Sequence, residues 1–203
     1  MPKITIKNTM QHFAKVCKHK WHVFGYCFQV GMPLRGLKHD MSKFSPTEFW
    51  ESVRYYQGTR SPIDACKEAE GVSKAWMHHK GRNSHHYEYW QDNFDKGGEP
   101  VVMPLKDTIE LLCDYLGAGR AYMGKEFSYN AEYLWWQNKC SKPIAMHPVT
   151  KEFITVVLES MAKDEANITV AAAEGRCLNR IYLEELYAVV HQRWEMQKEA
   201  QNG

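Results

Sequence analysis

Apolar residues recur along this chain at three-, four- and seven-residue intervals, the spacing of an α-helix that buries one face, whereas strand signals are sparse. Phe13, Val16, Val23, Cys27 and Val30 trace one such face. They predict a first helix that begins after Asn8 or Thr9, runs to about Val30 and stops at Gly31. Pro33 suits the first turn of a short segment carrying LRGLKHDMSKF. Ser45-Pro46-Thr47-Glu48 reads as a capping box with proline at the first helical position, opening a helix to roughly Gln57. Ser61-Pro62-Ile63-Asp64 repeats that logic for a helix interrupted at Gly71, and Ser73 can cap another that ends in AWMHHK, ahead of polar GRNSHH.

Gly97-Gly98-Glu99-Pro100 reads as a loop, after which Pro104 opens a helix along Leu105, Ile109, Leu112 and Leu116. Further helices are predicted at about 126–139, 149–163 and 179–199, with an Ala- and Gly-containing connection near 171–175. The fold class is therefore all-α, an irregular helical bundle. At 203 residues the chain can hold one sizeable core. In the last helix Ile181, Leu183, Leu186, Val189, Val190 and Trp194 form a short apolar stripe, which suits a core face better than a dimer seam and leaves a homo-oligomer open.

A formal charge of +2 gives no global attraction to nucleic acid or to a membrane surface, so any such partner must be recognised locally. No apolar run approaches the roughly 18 residues of a membrane span, and the first residues lack the uninterrupted apolar stretch of a secretory signal; a cytoplasmic chain is the expectation. Six cysteines without a Cys-x-x-Cys pair argue against a disulfide framework or a thiolate zinc site and read as reduced, mostly buried side chains.

Histidine is the unusual residue: seven of ten fall between positions 19 and 86. His39-Asp40 are adjacent, about 100° apart if helical, so an imidazole and a carboxylate could both reach an ion at their boundary. His19 shares the apolar face of the first helix with Val16 and Val23, where it is either a core histidine bonded to a backbone carbonyl or a ligand. His22 falls on a more polar side. Asp114 sits among Leu111, Leu112 and Leu116, and a carboxylate buried there needs a cation: Arg120, a lysine or a metal. His78, His79, His85 and His86 lie within nine residues, in WMHHKGRNSHHYEYW. Imidazole suits divalent first-row ions, so the stretch is either part of a metal site or a His-rich loop. Arg82 and Asn83 between the doublets offer a bidentate phosphate donor and a neutral polar group. Trp76, Tyr87, Tyr89 and Trp90 could stack on a base, though core packing is the commoner use.

His19, then His39-Asp40 with Lys43 three positions on, then the histidine pairs, then Asp114 within a helix, resembles the H…HD…D metal-site order of the HD-domain phosphohydrolase superfamily. The strings GLKHDMSKFSPTEFW and AWMHHKGRNSHHYEYW resemble a bacterial and phage branch of HD-like proteins, over about residues 12–150. The resemblance implies an HD-like metal-binding helical domain at 1–150, with the helices of 151–203 packing on it or on a second subunit. It implies His19, His39, Asp40 and Asp114 as ligands of one ion, Asp40 as a bridge where two ions bind, and His79 and His85, among the four paired histidines, as further ligands. Lys43 would help hold a phosphate.

The function implied is hydrolysis of a small nucleotide-like phosphomonoester or phosphodiester, using one or two ions of Mn²⁺, Fe²⁺, Zn²⁺, Mg²⁺ or a related metal and a metal-activated water. Asp40, Lys43 and Arg82 would then be the catalytic groups, with Lys43, Arg82 and Asn83 on the substrate. Two other readings use the same residues: a metal-stabilised module that sequesters a nucleotide without turnover, and a cyclic-oligonucleotide phosphodiesterase.

Overall fold

The computed structural model describes residues 3–202, and among them the chain folds as an all-α irregular bundle of ten α-helices with one two-stranded hairpin. Helix α1 (Ile6–Gln29) starts three residues earlier than the apolar pattern suggests, because the Thr5 hydroxyl accepts the Asn8 N–H at 3.1 Å and caps it. Its buried stripe is His12, Val16, His19, Val23, Tyr26 and Cys27. Phe13, expected on that stripe, is half exposed and packs against Phe44. Gly31, at φ +75, turns the chain into α2 (Pro33–Lys38). The two helices approach closely at Gly36, where a Cβ would stand 2.7 Å from Cys27 Cβ.

The proposed helical register of His39-Asp40 does not hold. The helix ends at Lys38, His39 is extended at φ −50, ψ 130, and Asp40 is left-handed at φ 54. A short 3₁₀ turn, Met41–Phe44, leads to α3 (Pro46–Arg54), three residues shorter than expected. Helix α4 (Pro62–Glu70) ends at left-handed Gly71, and α5 (Lys74–Lys80) is capped by Ser73. The Gly-Gly-Glu-Pro stretch is more than a loop: β1 (Gln91–Asp92) pairs antiparallel with β2 (Glu99–Pro100), Gln91 opposite Pro100.

Helix α6 (Leu105–Met123) is the axis of the bundle, with every residue from Asp107 to Gly117 buried. A Cβ on Gly117 would meet Val23 Cγ2 at 2.4 Å, so α1 and α6 touch backbone to backbone there. Helices α7 (Tyr129–Cys140) and α8 (Pro148–Asn167) follow as expected, with α8 running through position 150. The supposed connection at 171–175 is helix α9 (Val170–Cys177), capped by Thr169. Helix α10 spans Arg180–Asn202. One core joins Val23 and Cys27 to Ile109, Leu112, Phe153, Leu158, Leu178 and Leu183, so the C-terminal helices pack on the same core as the rest. On α10 Leu183 and Val190 are buried, while Ile181 and Val189 of the predicted stripe are exposed. No helix among the described residues is long and apolar enough to cross a membrane. All six cysteines are free; Cys17 is exposed and Cys140 half-buried, the other four being buried.

Candidate metal centre

Three helices and two turns bring the chemistry together. α1 supplies His19, the break after α2 supplies His39 and Asp40, α5 supplies His79, the turn after it supplies His85 and His86, and α6 supplies Asp114. α5 is fixed from below by Glu51, whose carboxylate accepts the Ser73 hydroxyl at 2.6 Å and the Ala75 N–H at 2.9 Å.

Asp40 is the hub. Its left-handed backbone, a conformation aspartate tolerates better than most residues, aims the carboxylate into the bundle. Oδ2 lies 3.4 Å from His19 Nε2 and 3.3 Å from His39 Nε2, while Oδ1 lies 3.2 Å from His79 Nε2 and 3.4 Å from His85 Nε2. Asp114 Oδ1 closes the first set, 3.1 Å from His19 Nε2 and 3.3 Å from His39 Nε2. Two quartets result, His19–His39–Asp40–Asp114 and Asp40–His79–His85–His86, and within each the ligand-type atoms lie within 4.8 Å of one another. His19 is thus no core histidine on a backbone carbonyl. The ion pair of Asp114 with Arg120 is also overturned, because Arg120 turns to Tyr26, Tyr129 and Glu174.

Two glutamates that the sequence reading did not select set the direction of the rings. Glu110 Oε1 accepts from His39 Nδ1 at 3.0 Å and stands 3.3 Å from His85 Nδ1, with Arg35 holding its other oxygen at 2.6 Å. Glu48 takes His78 Nδ1 at 2.6 Å and His79 Nδ1 at 2.7 Å. Burial would raise both carboxyls, but the histidines outweigh it and hold each below the usual carboxylate range. An ionised carboxylate only accepts, so Nδ1 of His39 and His79 carries the proton and Nε2 is left facing Asp40. Glu110 was findable: it sits one helical turn before Asp114 in the same apolar stretch, where the burial argument applies equally. Glu48 was hidden by its capping box.

Burial raises Asp40 and Asp114, yet His39 and its neighbours bring both well below their ordinary range. His39 is pushed down by burial and carried well above the usual imidazole by Asp40, Asp114 and Glu110. His86 goes the other way, lowered well below by burial and by His85, and so stays neutral. Lys43 Nζ lies 2.5 Å from Asp40 Oδ2, and its ammonium is held high by Asp40 and Asp114 against burial.

The donor set fits a cation. His79, His85 and His86 Nε2 and both Asp40 oxygens are buried without a hydrogen-bond partner, apart from the close approach of Lys43. Each such orphan costs about 1–3 kcal/mol unless something satisfies it. Imidazole nitrogens and carboxylate oxygens gathered within 4.8 Å of one another in each quartet match divalent first-row metals.

The remaining predicted site residues lie outside the quartets. Asn83 Nδ2 donates to Ser42 Oγ at 2.9 Å and to His79 O at 2.8 Å, bracing α5 against the 3₁₀ turn. Arg82 is exposed and donates to His78 O at 3.3 Å, on the rim of a cavity of about 270 Å³ that reaches the Glu110 side of His39 and His85. Among the aromatics, Tyr87 is buried and Trp90 packs against the core, while Tyr89 is exposed.

Fold and centre together define an all-α protein with a buried histidine–carboxylate cluster able to hold metal. The chain belongs to the family described as "Family of unknown function (DUF5662)", whose profile matches residues 8–160 and so takes in every residue of the centre. No curated protein and no solved structure matches the chain.

Proposed function

We propose that this protein is a metal-dependent phosphohydrolase of the HD type, acting on a small nucleotide-like phosphomonoester or phosphodiester. The observation that carries the reading is Asp40, whose two oxygens each lie beside a different histidine set, so that its carboxylate would serve both sets if two ions were bound. His19, His39 and Asp114 would complete one ion's ligands, and His79, His85 and His86 the other's. When bound, one or two divalent ions supply Lewis acidity and a water acidic enough to attack phosphorus near neutral pH.

The chain's own groups do the rest. Glu110 and Glu48 hold the imidazoles in the ligating tautomer. Lys43, paired with Asp40 and with a side chain 28% exposed at the edge of a centre otherwise almost dry, would offset charge on phosphoryl oxygens. Arg82, on the Nδ1 side of His85, is assigned to the periphery. Free cysteines throughout fit a cytoplasmic site of action.

Elemental analysis and hydrolysis of bis(p-nitrophenyl) phosphate test the proposal. The purified protein should carry one or two ions per chain, and His39→Ala and Asp40→Ala should each lose metal and activity together. Full activity in both variants would refute it. Tight nucleotide binding without turnover by the metal-loaded protein would favour the sequestering alternative.

A further inference from the structure

Helix α1 has two apolar faces, and the bundle covers one of them. Opposite the buried stripe that carries His19, Met10, Ala14, Cys17, Trp21, Phe24 and Phe28 follow one another in alternating steps of four and three residues, the heptad spacing of a helix–helix seam about 27 Å long. All are exposed except half-buried Phe24, with Trp21 at 72%, Met10 at 68% and Phe28 at 65%. Trp21 stacks on Phe24 at 5.9 Å between ring centroids and Phe24 meets Phe28 at 6.2 Å, so the aromatics form one continuous ridge. With half-exposed Phe13 they present on the order of 500 Å² of apolar side chain, at 150–250 Å² for each whole aromatic. That is the size of patch that marks an interaction surface, and it approaches the roughly 600 Å² per partner of the smallest stable interfaces.

The seam is uneven along its length. Its first half is small or flexible, with Met10, Ala14 and Cys17, and its second half is aromatic. Turned about a two-fold axis midway between Cys17 and Trp21, a second α1 running antiparallel sets Trp21 against Cys17, Phe24 against Ala14 and Phe28 against Met10, so that each aromatic meets a smaller side chain. The same rotation brings Gly25 opposite the exposed ring of Phe13. Gly25 lies exposed inside the helix, where glycine costs about 0.5–1 kcal/mol relative to alanine, yet a Cβ there would meet nothing within 4 Å. No neighbour in its own chain calls for a glycine; a ring from a second copy does. Lys20 Nζ is turned away to the carbonyls of Leu37 and His39, which leaves Lys18 as the only charge of α1 beside the middle of the seam.

Independently of the phosphohydrolase reading, we propose that this face of α1 docks a second copy of the chain in an antiparallel two-fold dimer. Because His19 faces the other way, the two centres sit back to back and neither is covered.

Sedimentation equilibrium of the full chain at about 100 μM, within the reach of a micromolar interface, should give twice the mass of one chain. Trp21→Glu/Phe28→Glu should weaken self-association about thirtyfold or more, the loss expected of an aromatic anchor, with the circular dichroism unchanged. Ala14→Phe puts two rings into one layer and should weaken it about tenfold. Adding Phe24→Ala to that variant moves the large and small partners across the axis and should restore the affinity to within about threefold of wild type. A monomeric wild type would overturn the proposal, as would a dimer indifferent to the two glutamates, or a folded swap variant that stays weak. A monomer that co-sediments with phosphatidylserine vesicles would assign the face to a membrane surface and overturn it too.

Discussion

Glu110→Gln isolates the role of a carboxylate while keeping its shape. Glu110 Oε1 serves His39 and His85, one histidine from each quartet, and its second oxygen meets Arg35 Nε at 2.6 Å. A glutamine can satisfy only one side. With its oxygen toward the histidines, its NH₂ points at the Arg35 N–H and two donors clash. With its oxygen toward Arg35, which also keeps Asp107 at 2.5 Å, the NH₂ faces Nδ1 and drives the proton of each ring to Nε2, where a metal should bind. The second arrangement is the better satisfied, so both quartets lose ligands at once. Loss of such an orienting carboxylate typically weakens metal binding 10- to 100-fold, or about 1.4–2.7 kcal/mol per site. Titration of metal-stripped protein with Zn²⁺ or Mn²⁺ against a fluorescent chelator reads this directly, with circular dichroism to establish that the helices are intact. Affinity within about twofold of wild type in a folded variant would refute the reasoning.

Two further perturbations test the frame and its protonation. Gly117→Ala places a Cβ 2.4 Å from Val23 Cγ2 and 3.1 Å from Val23 N, so α1 and α6 must part; chemical denaturation should show a loss of about 1–3 kcal/mol, and metal content should fall because those helices carry His19 and Asp114. His12 is buried, its Nδ1 has no partner, and burial with Lys43 nearby lowers it to about 4. The unfolded chain, with an ordinary value near 6.5, therefore binds more protons than the folded one between those values. Stability present above pH 6.5 should drain away as pH falls toward 4, by up to about 3 kcal/mol. His12→Phe, fitting between Phe49 and Tyr56, should flatten that part of the stability–pH curve relative to wild type; an unchanged slope would show that His12 does not titrate in this way.

Helix positions were legible because their signals are local. Ser73 and the prolines at 33, 46 and 62 start helices where the sequence says they should, and Gly71 ends one. What misled was the assumption that a buried face is an apolar face. On α1 the apolar count chose Phe13, whereas burial chose His12 beside the His19 already read on that face, because the bundle there surrounds polar chemistry rather than hydrocarbon. Helix α9 was missed for the opposite reason: VAAAEGRC has no stripe to count, and its helicity comes from alanine propensity and the Thr169 cap.

The candidate site divides along the same line. Residue types announced His19, His39, Asp40 and Asp114, since each is costly to bury alone, but no spacing rule could reveal how Asp40 joins two sets. That depends on a left-handed residue between two short helices, which turns the carboxylate across the bundle toward a turn some 40 positions further on. Glu48 shows the limit most sharply. The local rule assigns it to the N-terminus of α3, and Ser45 Oγ does accept the Glu48 N–H at 3.4 Å. Its carboxylate nevertheless leaves that cap for His78 and His79, 30 and 31 residues away, because a charge-assisted bond in a dry interior is worth more than one to a solvated backbone N–H. The same six-residue stretch, Ser42 to Thr47 with Glu48 after it, thus starts a helix, braces Asn83 and orients two imidazoles, and only the three-dimensional partners separate those roles.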